Sequence, residues 1–473
     1  MSSELLAILF SIAFWISVAL ISSSLLQNVF YVLQMVSAFI ALRSKPSEST
    51  ESLLWTKMSE VALPIAVLVP AYNESATIVE NIRSLLAIHY PTFEVIVIND
   101  GSHDDTVARA MAAFDMEPVH RSFERSVPHA VIRGLYGSSR YPNLLLIDKE
   151  NGGKADALNA GINLSRAPLI CAVDADSMLE ADALLGVGQP FVDDPARMIA
   201  VGGTIRIVNG CTVHAGRVIK AGLPRKFLPL MQTIEYLRAF LMAQVAWSQM
   251  KALTNISGAF SVFRREVVVA VGGYSYGTVG EDMELIIKLH RYMIERNQDY
   301  AMRFIPESVC WTEAPSTWSV LARQRIRWQR GALEAFFKHR IMCLNPRYGR
   351  VGLLGFGHIL IADVIGPLFE VTGYFLMPLF FGIGAVNIDF LLAFIALTFV
   401  FGIVISVGSL VLEELEVHRF PGLQPLLVLT AVAIIENFGY RQINNFWRVV
   451  GYWRYLRGTQ GWGVMTRTGF RKA

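Results

Sequence analysis

Hydrophobic residues follow two contrasting patterns along this chain. Residues 5–42 and long parts of residues 351–440 are almost continuously apolar, and residues 5–42 contain no Lys, Arg, Asp or Glu. Between about residues 44 and 348, short apolar runs alternate with polar stretches of helical periodicity. This arrangement predicts membrane-spanning helices on both sides of a large α/β domain.

The central region carries the signature of a parallel sheet. Its short apolar runs, rich in β-branched residues, predict strands at residues 65–69, 94–98, 143–147 and 169–173, with a helix over 74–87. Strands that alternate with helices indicate βαβ units and a mostly parallel, Rossmann-like sheet. Residues 114–149 are longer than this pattern requires, and only the strand at their end is assigned.

The apolar ends predict three or four membrane spans. A helix over residues 5–42 would measure roughly 55 Å, longer than the ~30 Å hydrocarbon core, so we expect a tilted span that continues along the interface. Its length also argues against a cleaved signal peptide. Arg43, Lys45 and Lys57 place its far end in the cytoplasm. Further spans are predicted at 352–386, broken at Gly366-Pro367, and at 390–412, with an interfacial or re-entrant segment at 426–437.

These patterns predict an integral protein of the cell (inner or plasma) membrane with a cytoplasmic α/β domain. The predicted parts are an N-terminal transmembrane helix at 1–43, the α/β domain at 44–318, an amphipathic interface helix at 319–350, a C-terminal transmembrane region at 351–440, and a basic, aromatic cytoplasmic tail at 441–473.

Composition supports a membrane protein. Apolar residues make up 53% of the chain, charged residues 17%, and the mean hydropathy is +0.42. A net charge of +3 argues against a protein that binds the nucleic-acid backbone through a broad basic surface, so no nucleic-acid partner is expected. The four cysteines are scattered without metal-ligand spacing, as is typical of a reducing compartment.

Polar clusters follow the predicted strands where open α/β sheets bind ligands. Asp174-Ala-Asp176 could hold Mg²⁺ or Mn²⁺ together with substrate phosphates. The other clusters are Pro70-Ala-Tyr-Asn-Glu74, Asn99-Asp-Gly-Ser102, Gly152-Gly-Lys154 and Gly280-Glu-Asp282. Each of them alone also fits an ordinary turn or helix start.

Taken together with Gln324-Arg-Ile-Arg-Trp328, a full Gln-x-x-Arg-Trp match, the clusters occur in the order of a known family. Residues 64–331 resemble the family 2 glycosyltransferases with a GT-A fold. The similarity is to the membrane-bound processive branch that includes cellulose, chitin, hyaluronan and poly-N-acetylglucosamine synthases.

The resemblance implies an inverting, metal-dependent transfer from a UDP-sugar. Asp282 would be the general base and Asp176 the metal ligand, with Mg²⁺ or Mn²⁺ as cofactor. Tyr72 and Asp100 would hold the uracil, and Lys154 a phosphate. The other implied donor contacts are Ala71, Glu74, Asp174 and Arg327, and the implied acceptor contacts are Gln324, Trp328, Ser257, Gly258 and Glu281.

Two acceptors stay open at this point. One is a growing β-linked polysaccharide, which Gln324-Arg-Ile-Arg-Trp328 favours. The other is a membrane lipid that receives a single sugar, for which the low number of predicted spans leaves room. A non-catalytic membrane subunit or transporter is disfavoured because every expected carboxylate and the Gln-x-x-Arg-Trp element are present. These motifs do not determine the sugar or the linkage. They also leave open whether the chain forms a homo-oligomer or uses a separate export partner.

Overall fold

The computed structural model describes residues 3–43, 55, 58–214, 216–416 and 422–458. They fall into two compact units. The helical unit contains the described residues of 1–42, 226–247 and 315–464. The α/β unit contains those of 43–225 and 248–314.

The strands of the α/β unit form one large sheet and one small hairpin. The strands are β1 Ile65–Ala71, β2 Phe93–Asp100, β3 Met116–Pro118, β4 Ile132–Ser138, β5 Leu144–Lys149, β6 Leu169–Val173, β7 Ser177–Leu179, β8 Met198–Ile207, β9 Thr212–His214, β10 Arg217–Lys220, β11 Phe260–Arg264 and β12 Ala301–Thr312.

The large sheet has the strand order β3-β4-β5-β2-β1-β6-β11-β8-β12-β7, and β9 pairs with β10 in the hairpin. Strands β5, β2, β1 and β6 are parallel neighbours, as are β8 and β12. Only β4, β11 and β7 run against the direction shared by the other strands of this sheet. The predicted mostly parallel α/β sheet is therefore confirmed.

The helices, in chain order, are α1 Ser3–Arg43, α2 Ile78–Leu86, α3 Thr106–Ala113, α4 Lys154–Leu164, α5 Ala183–Asp193, α6 Phe227–Tyr236, α7 Val245–Gln249, α8 Arg265–Ala270, α9 Glu281–Glu295, α10 Trp318–Lys338, α11 Val351–Gly382, α12 Ile388–Leu415, α13 Leu423–Ile435 and α14 Tyr440–Leu456. A π-helical segment, Leu237–Gln244, joins α6 to α7. Short 3₁₀ turns lie at Arg340–Met342 and Pro346–Tyr348.

The core of the α/β unit is built on its central strands. Every side chain from Ile65 to Val69 in β1 is fully buried. Because successive side chains of a strand point to opposite faces, both faces of the sheet are covered there. Burying one such aliphatic side chain contributes about 1.5–3 kcal/mol, so this apolar run is the reason that β1 lies in the middle of the sheet.

The helical unit contains helices suited to a bilayer. By length and composition α1, α11 and α12 could each cross a membrane, and α13 with α14, bent by 53° between them, could form a fourth span. Leu20 of α1, Met377 of α11 and Phe394 of α12 pack into one buried cluster. The predicted three or four spans agree with this count within the described residues.

The structure corrects the predicted break in the span at 352–386 and assigns the residues 114–149. The break predicted at Gly366-Pro367 is wrong, because α11 is one helix from Val351 to Gly382. Pro367 follows a π-helical stretch, Ile359–Ile365, where the hydrogen-bonding pattern changes and its missing N–H is tolerated. Residues 114–149, largely unassigned from sequence, supply β3, β4 and β5 at one edge of the sheet.

The structure also divides the chain differently from the sequence at one place. Residues 226–247, which the sequence includes in the domain 44–318, group with the helical unit. The predicted interface helix is α10, which begins at Trp318 and ends at Lys338. The predicted tail from 459 onward lies outside the described residues.

Candidate active site

The register of the parallel strands aligns their carboxyl ends. Ala71 of β1 pairs with Asn99 of β2, and Asp100 of β2 pairs with Lys149 of β5. β6, on the other side of β1, ends at Val173, one residue before Asp174. The polar clusters that follow these strands therefore lie along one edge of the sheet, as the sequence predicts.

Lys154 lies among carboxylates at this edge. Its Nζ is 2.6 Å from Oδ1 of Asp174 and 3.5 Å from Oε1 of Glu281. It also lies 3.5 Å from the carbonyl oxygen of Gly258. Burial alone would lower the pKa of Lys154, but the charges of Asp174, Glu281 and Asp282 raise it, so the ammonium stays protonated.

Asp282, the predicted base, lies in the first turn of α9. Its Oδ2 accepts the backbone N–H of Gly258 at 2.9 Å, and its Oδ1 accepts the backbone N–H of Met283 at 2.8 Å. A Cβ on Gly258 would lie 3.1 Å from Oδ2 of Asp282 and 3.2 Å from Nζ of Lys154, so a side chain there would crowd both groups. The backbone of Gly258 thus orients the carboxylate.

Glu281 is buried beside this carboxylate. Burial raises its pKa, the nearby charges of Asp282 and Asp174 add to the rise, and Lys154 opposes it. Ser257, on the approach to Gly258, accepts the N–H of Ala259 through its Oγ at 3.3 Å. The structure therefore brings together five predicted residues. Lys154 and Asp174 were predicted to contact the donor, Gly258 and Glu281 to contact the acceptor, and Asp282 to be the base.

Asp174 and Asp176 would supply the oxygen donors for the predicted metal. Both are partly buried, and β7 begins immediately after them. Among the described residues no group of three or more His, Cys, Asp and Glu side chains is arranged to hold a metal ion. A site with one or two protein carboxylates fits Mg²⁺ or Mn²⁺, since such ions keep water or phosphate in their other positions.

The loop after β1 presents Tyr72 to solvent. Its ring is 47% exposed and contacts His103 edge to face, with the ring centroids 6.3 Å apart. The backbone of Asn73, at a φ of 55°, donates to Oγ of Ser102 at 2.9 Å. The loop after β1 is therefore hydrogen-bonded to the loop after β2, and it exposes the aromatic face of Tyr72 near the edge of the sheet.

Ala71 and Glu74 occupy the two ends of this loop. Ala71 is buried as the last residue of β1, so only its backbone can face a ligand. Glu74 donates its N–H to Oγ1 of Thr106 at 2.9 Å, and its Oε2 accepts the hydroxyl of Thr77 at 2.9 Å. Its carboxylate is therefore used in part to hold its own loop.

Asp100 belongs to a buried network that the sequence did not predict. Lys149 is fully buried, with Nζ at 2.5 Å from both Oδ1 of Asp100 and Oδ1 of Asp156. The N–H groups of Gly152 and Gly153 donate to Asp100 as well. A signal was available in the sequence, because Lys149 and Asp156 flank the glycine pair on either side.

The Gln-x-x-Arg-Trp element lies on α10 in the helical unit. Trp328 is 45% exposed, and the guanidinium of Arg325 lies 4.3 Å from its ring centroid. Arg325 is in turn paired with Glu235 at 2.7 Å, and Glu235 also accepts the hydroxyl of Tyr440 at 2.9 Å. One face of the indole is thus covered by a cation, an arrangement that the motif alone did not reveal.

Gln324 and Arg327 complete this element. Both are partly buried. The side-chain oxygen of Gln324 is buried and accepts no hydrogen bond within the described part of the chain. A buried amide oxygen without a donor is costly, so it is suited to receive one from a ligand.

The fold is shared with a solved glycosyltransferase. A mannosyltransferase from Pyrobaculum calidifontis, in complex with GDP-mannose and Mn²⁺, superposes with a TM-score of 0.52 at 16% identity. The match covers 93% of this chain and all of that one. The fold is therefore that of the GT-A glycosyltransferases.

Sequence comparison then gives the family. Residues 63–331 match the family described as glycosyltransferase like family 2, and the chain belongs to this family. A poly-β-1,6-N-acetyl-D-glucosamine synthase of Staphylococcus epidermidis is 28% identical over 312 residues, which cover 66% of this chain and 64% of that protein. One of Staphylococcus aureus is 29% identical over 299 residues, covering 63% and 61%. The chain thus spans a little under two thirds of the length of these relatives.

Proposed function

We propose that this protein transfers a sugar from a UDP-sugar to a hydroxyl of a growing β-linked polysaccharide, with inversion, at the cytoplasmic face of the membrane. Family membership supports the reaction class. The names of the relatives favour N-acetylglucosamine as the sugar and β-1,6 as the linkage.

The observation that carries the proposal is the placement of Asp282 beside Lys154. Two backbone N–H groups orient the Asp282 carboxylate and use about half of its acceptor capacity. A positioned carboxylate can then take the proton of an acceptor hydroxyl, which is a poor nucleophile until it is deprotonated.

Lys154 connects the two halves of the reaction. It lies between Asp174, at the donor end, and the Glu281 and Asp282 carboxylates. Its raised pKa keeps a positive charge where the leaving diphosphate becomes more negative. Asp176, assisted by Asp174, would hold Mg²⁺ or Mn²⁺, and the ion would supply further positive charge for the departing diphosphate.

The proposal also includes the predicted contacts to the donor and to the acceptor. Tyr72 offers an exposed ring on which a base could stack, with Ala71 and Glu74 shaping its loop. The acceptor roles of Gln324 and Trp328 and the donor role of Arg327 rest on the motif. The long apolar helices support a membrane location.

The test is a screen of purified full-length protein with radiolabelled UDP-sugars in the presence of Mn²⁺ or Mg²⁺. We expect UDP release to be greatest with UDP-N-acetylglucosamine and the product to be a polymer. If the product is instead a lipid that carries one sugar, the acceptor is a membrane lipid and not a polysaccharide. No transfer from any UDP-sugar, together with transfer from another nucleotide sugar, would overturn the donor assignment.

A further inference from the structure

The loop 271–280 connects α8 to α9 and leads directly to the first turn of α9, which contains Asp282. Gly272, Gly273 and Gly277 of this loop have φ values of 83°, 72° and 74°, which favour glycine. Glycine restricts the backbone less than any other residue. The shape of the loop must therefore be set by its contacts with neighbouring elements.

The first of these contacts is made by Asn159, whose side chain is fully buried on α4. Its Nδ2–H donates to the carbonyl of Tyr274 at 3.0 Å, and its Oδ1 accepts the backbone N–H of Tyr274 at 2.8 Å. A Cβ on Gly273 would lie 2.4 Å from Oδ1 of Asn159, so a side chain at this position would prevent the approach. The loop is thus bonded to the helix that begins at Lys154.

The second contact comes from α9 itself. Nζ of Lys288 donates to the carbonyl of Gly273 at 2.5 Å and to Oγ of Ser275 at 2.9 Å. The fully buried carboxylate of Glu284, one turn earlier on α9, lies 3.7 Å from the same ammonium. Hydrogen bonds from a charged donor are stronger than those from a neutral one. The loop is therefore held by α4 on one side and by α9 on the other.

We propose that Asn159 and Lys288 are positioning residues that bridge α4 and α9 through residues 273–275. The bridge fixes Asp282, in the first turn of α9, relative to Lys154, the first residue of α4. Lys154 stabilises the leaving diphosphate while Asp282 takes the proton of the acceptor, so their relative position decides the rate. This inference rests on the proposed function for the roles of these two residues and not for the bridge itself.

Asn163 offers a matched control on the same helix. It is buried as well, its Nδ2–H donates to the carbonyl of Val127 at 2.7 Å, and its Oδ1 accepts the N–H of Val127 at 3.0 Å. Asn163→Leu therefore removes the same pair of hydrogen bonds as Asn159→Leu, but from the loop that precedes β4 instead of the loop that precedes α9. An effect of lost stability alone would appear in both variants.

Rate and affinity separate positioning from stability. We would measure UDP release by the full-length protein with UDP-N-acetylglucosamine and Mn²⁺, and the Kd of UDP by calorimetry. Asn159→Leu should lower kcat roughly tenfold or more and change the Kd of UDP less than about threefold, since a misplacement of about 1 Å can cost about a hundredfold in rate. Asn163→Leu should leave both values close to those of the unaltered protein. An equal loss of kcat in the two variants, or no loss in Asn159→Leu, would overturn the proposal.

A pair of substitutions tests the second contact. Lys288→Met removes the donor to Gly273 and Ser275 and should lower kcat in the same way as Asn159→Leu. Lys288→Arg can still donate to both oxygens and should retain most of the rate. Equal rates in the two Lys288 variants would contradict its positioning role.

Hydrogen exchange tests the bridge without any substrate. The backbone N–H of Gly258 donates to Oδ2 of Asp282 at 2.9 Å, so its exchange reports whether the carboxylate keeps its place. Because a loosened loop opens locally more often, exchange at Gly258 should be roughly tenfold faster in Asn159→Leu than in Asn163→Leu, and equal exchange would refute the bridge.

A milder pair of variants covers the case in which Asn159→Leu does not fold. Asn159→Asp keeps the acceptor for the N–H of Tyr274 and loses the donor to its carbonyl. It takes the place of Asn159→Leu with the same expectations, and Asn163→Asp becomes its control. If the unaltered protein releases no UDP from any UDP-sugar, the proposed function fails, and exchange at Gly258 still decides whether the bridge positions Asp282.

Discussion

Replacing Asp282 with asparagine should remove most of the transferase activity while leaving donor binding intact. The substitution keeps the size of the side chain and removes its ability to accept a proton. A positioned general base contributes roughly 10²–10⁴-fold to the rate, which corresponds to about 3–5 kcal/mol of the activation free energy.

The structure also predicts the effect on stability. Each oxygen of Asp282 accepts one backbone N–H, from Gly258 and from Met283. The introduced amide has a single oxygen, so one of the two N–H groups loses its acceptor. A hydrogen bond to a charged group contributes about 1.5–3 kcal/mol, and we expect the free energy of unfolding to fall by no more than this.

The assay compares UDP release in the presence of acceptor with UDP binding measured by calorimetry. Asp282→Asn should lower kcat by 10²–10⁴-fold and change the Kd of UDP by less than about threefold. Glu295→Gln is the control at the other end of the same helix, where Glu295 pairs with Arg291 at 2.8 Å near the surface. Release of UDP by Asp282→Asn at a rate within threefold of the unaltered protein would refute the assignment of the base.

Three further variants test other parts of the molecule. Asp176→Ala should abolish UDP release that depends on Mn²⁺ or Mg²⁺, and full activity over a metal titration would contradict its role as a ligand. Trp328→Ala should weaken acceptor use roughly two- to tenfold, as expected for one lost stacking contact, and shorten the product; an unchanged product length would count against it. The Nε2–H of His290 donates to the carbonyl of Leu253, its Nδ1 accepts the hydroxyl of Tyr300, both at 2.6 Å, and burial lowers its pKa to about 4. The imidazole of His290 binds a proton more readily in the unfolded chain than in the folded one. The free energy of unfolding should therefore fall by about 3 kcal/mol as the pH falls from about 6.5 to 4. Thermal unfolding of His290→Asn should show a weaker dependence on pH over this range than the unaltered protein, and an identical dependence would exclude His290 as its source.

Much of the α/β unit could be predicted because its signals are local. The apolar run at 169–173 matches β6 residue for residue, and the other predicted strands lie within a few residues of those observed. The predicted helix 74–87 begins only at Ile78, because the backbone N–H groups of Glu74 and Ser75 donate to Thr106, the first residue of α3, and to Asp104 just before it. Such long-range contacts leave no periodic signal.

The edge strands show the same limit. β3 has only three residues and β4 is mostly half-exposed, so both lack the apolar alternation by which strands are recognised. β4 pairs with the free edge of β5, and β3 then pairs with β4. The bend between α13 and α14 likewise lies at Gly439, whose φ of 94° favours glycine.

By itself the sequence determined the class of fold, the family, and which side chains meet at the carboxyl edge of the sheet, because each motif directly follows a strand of recognisable pattern. Only the tertiary structure decided which partners those side chains take. Lys149 lies beside Asp100 because β5 pairs in register with β2, and Lys154 lies beside Asp174 because α4 begins where β6 ends at the same edge. Pairings of this kind depend on register and burial, and a linear pattern of residue types carries neither.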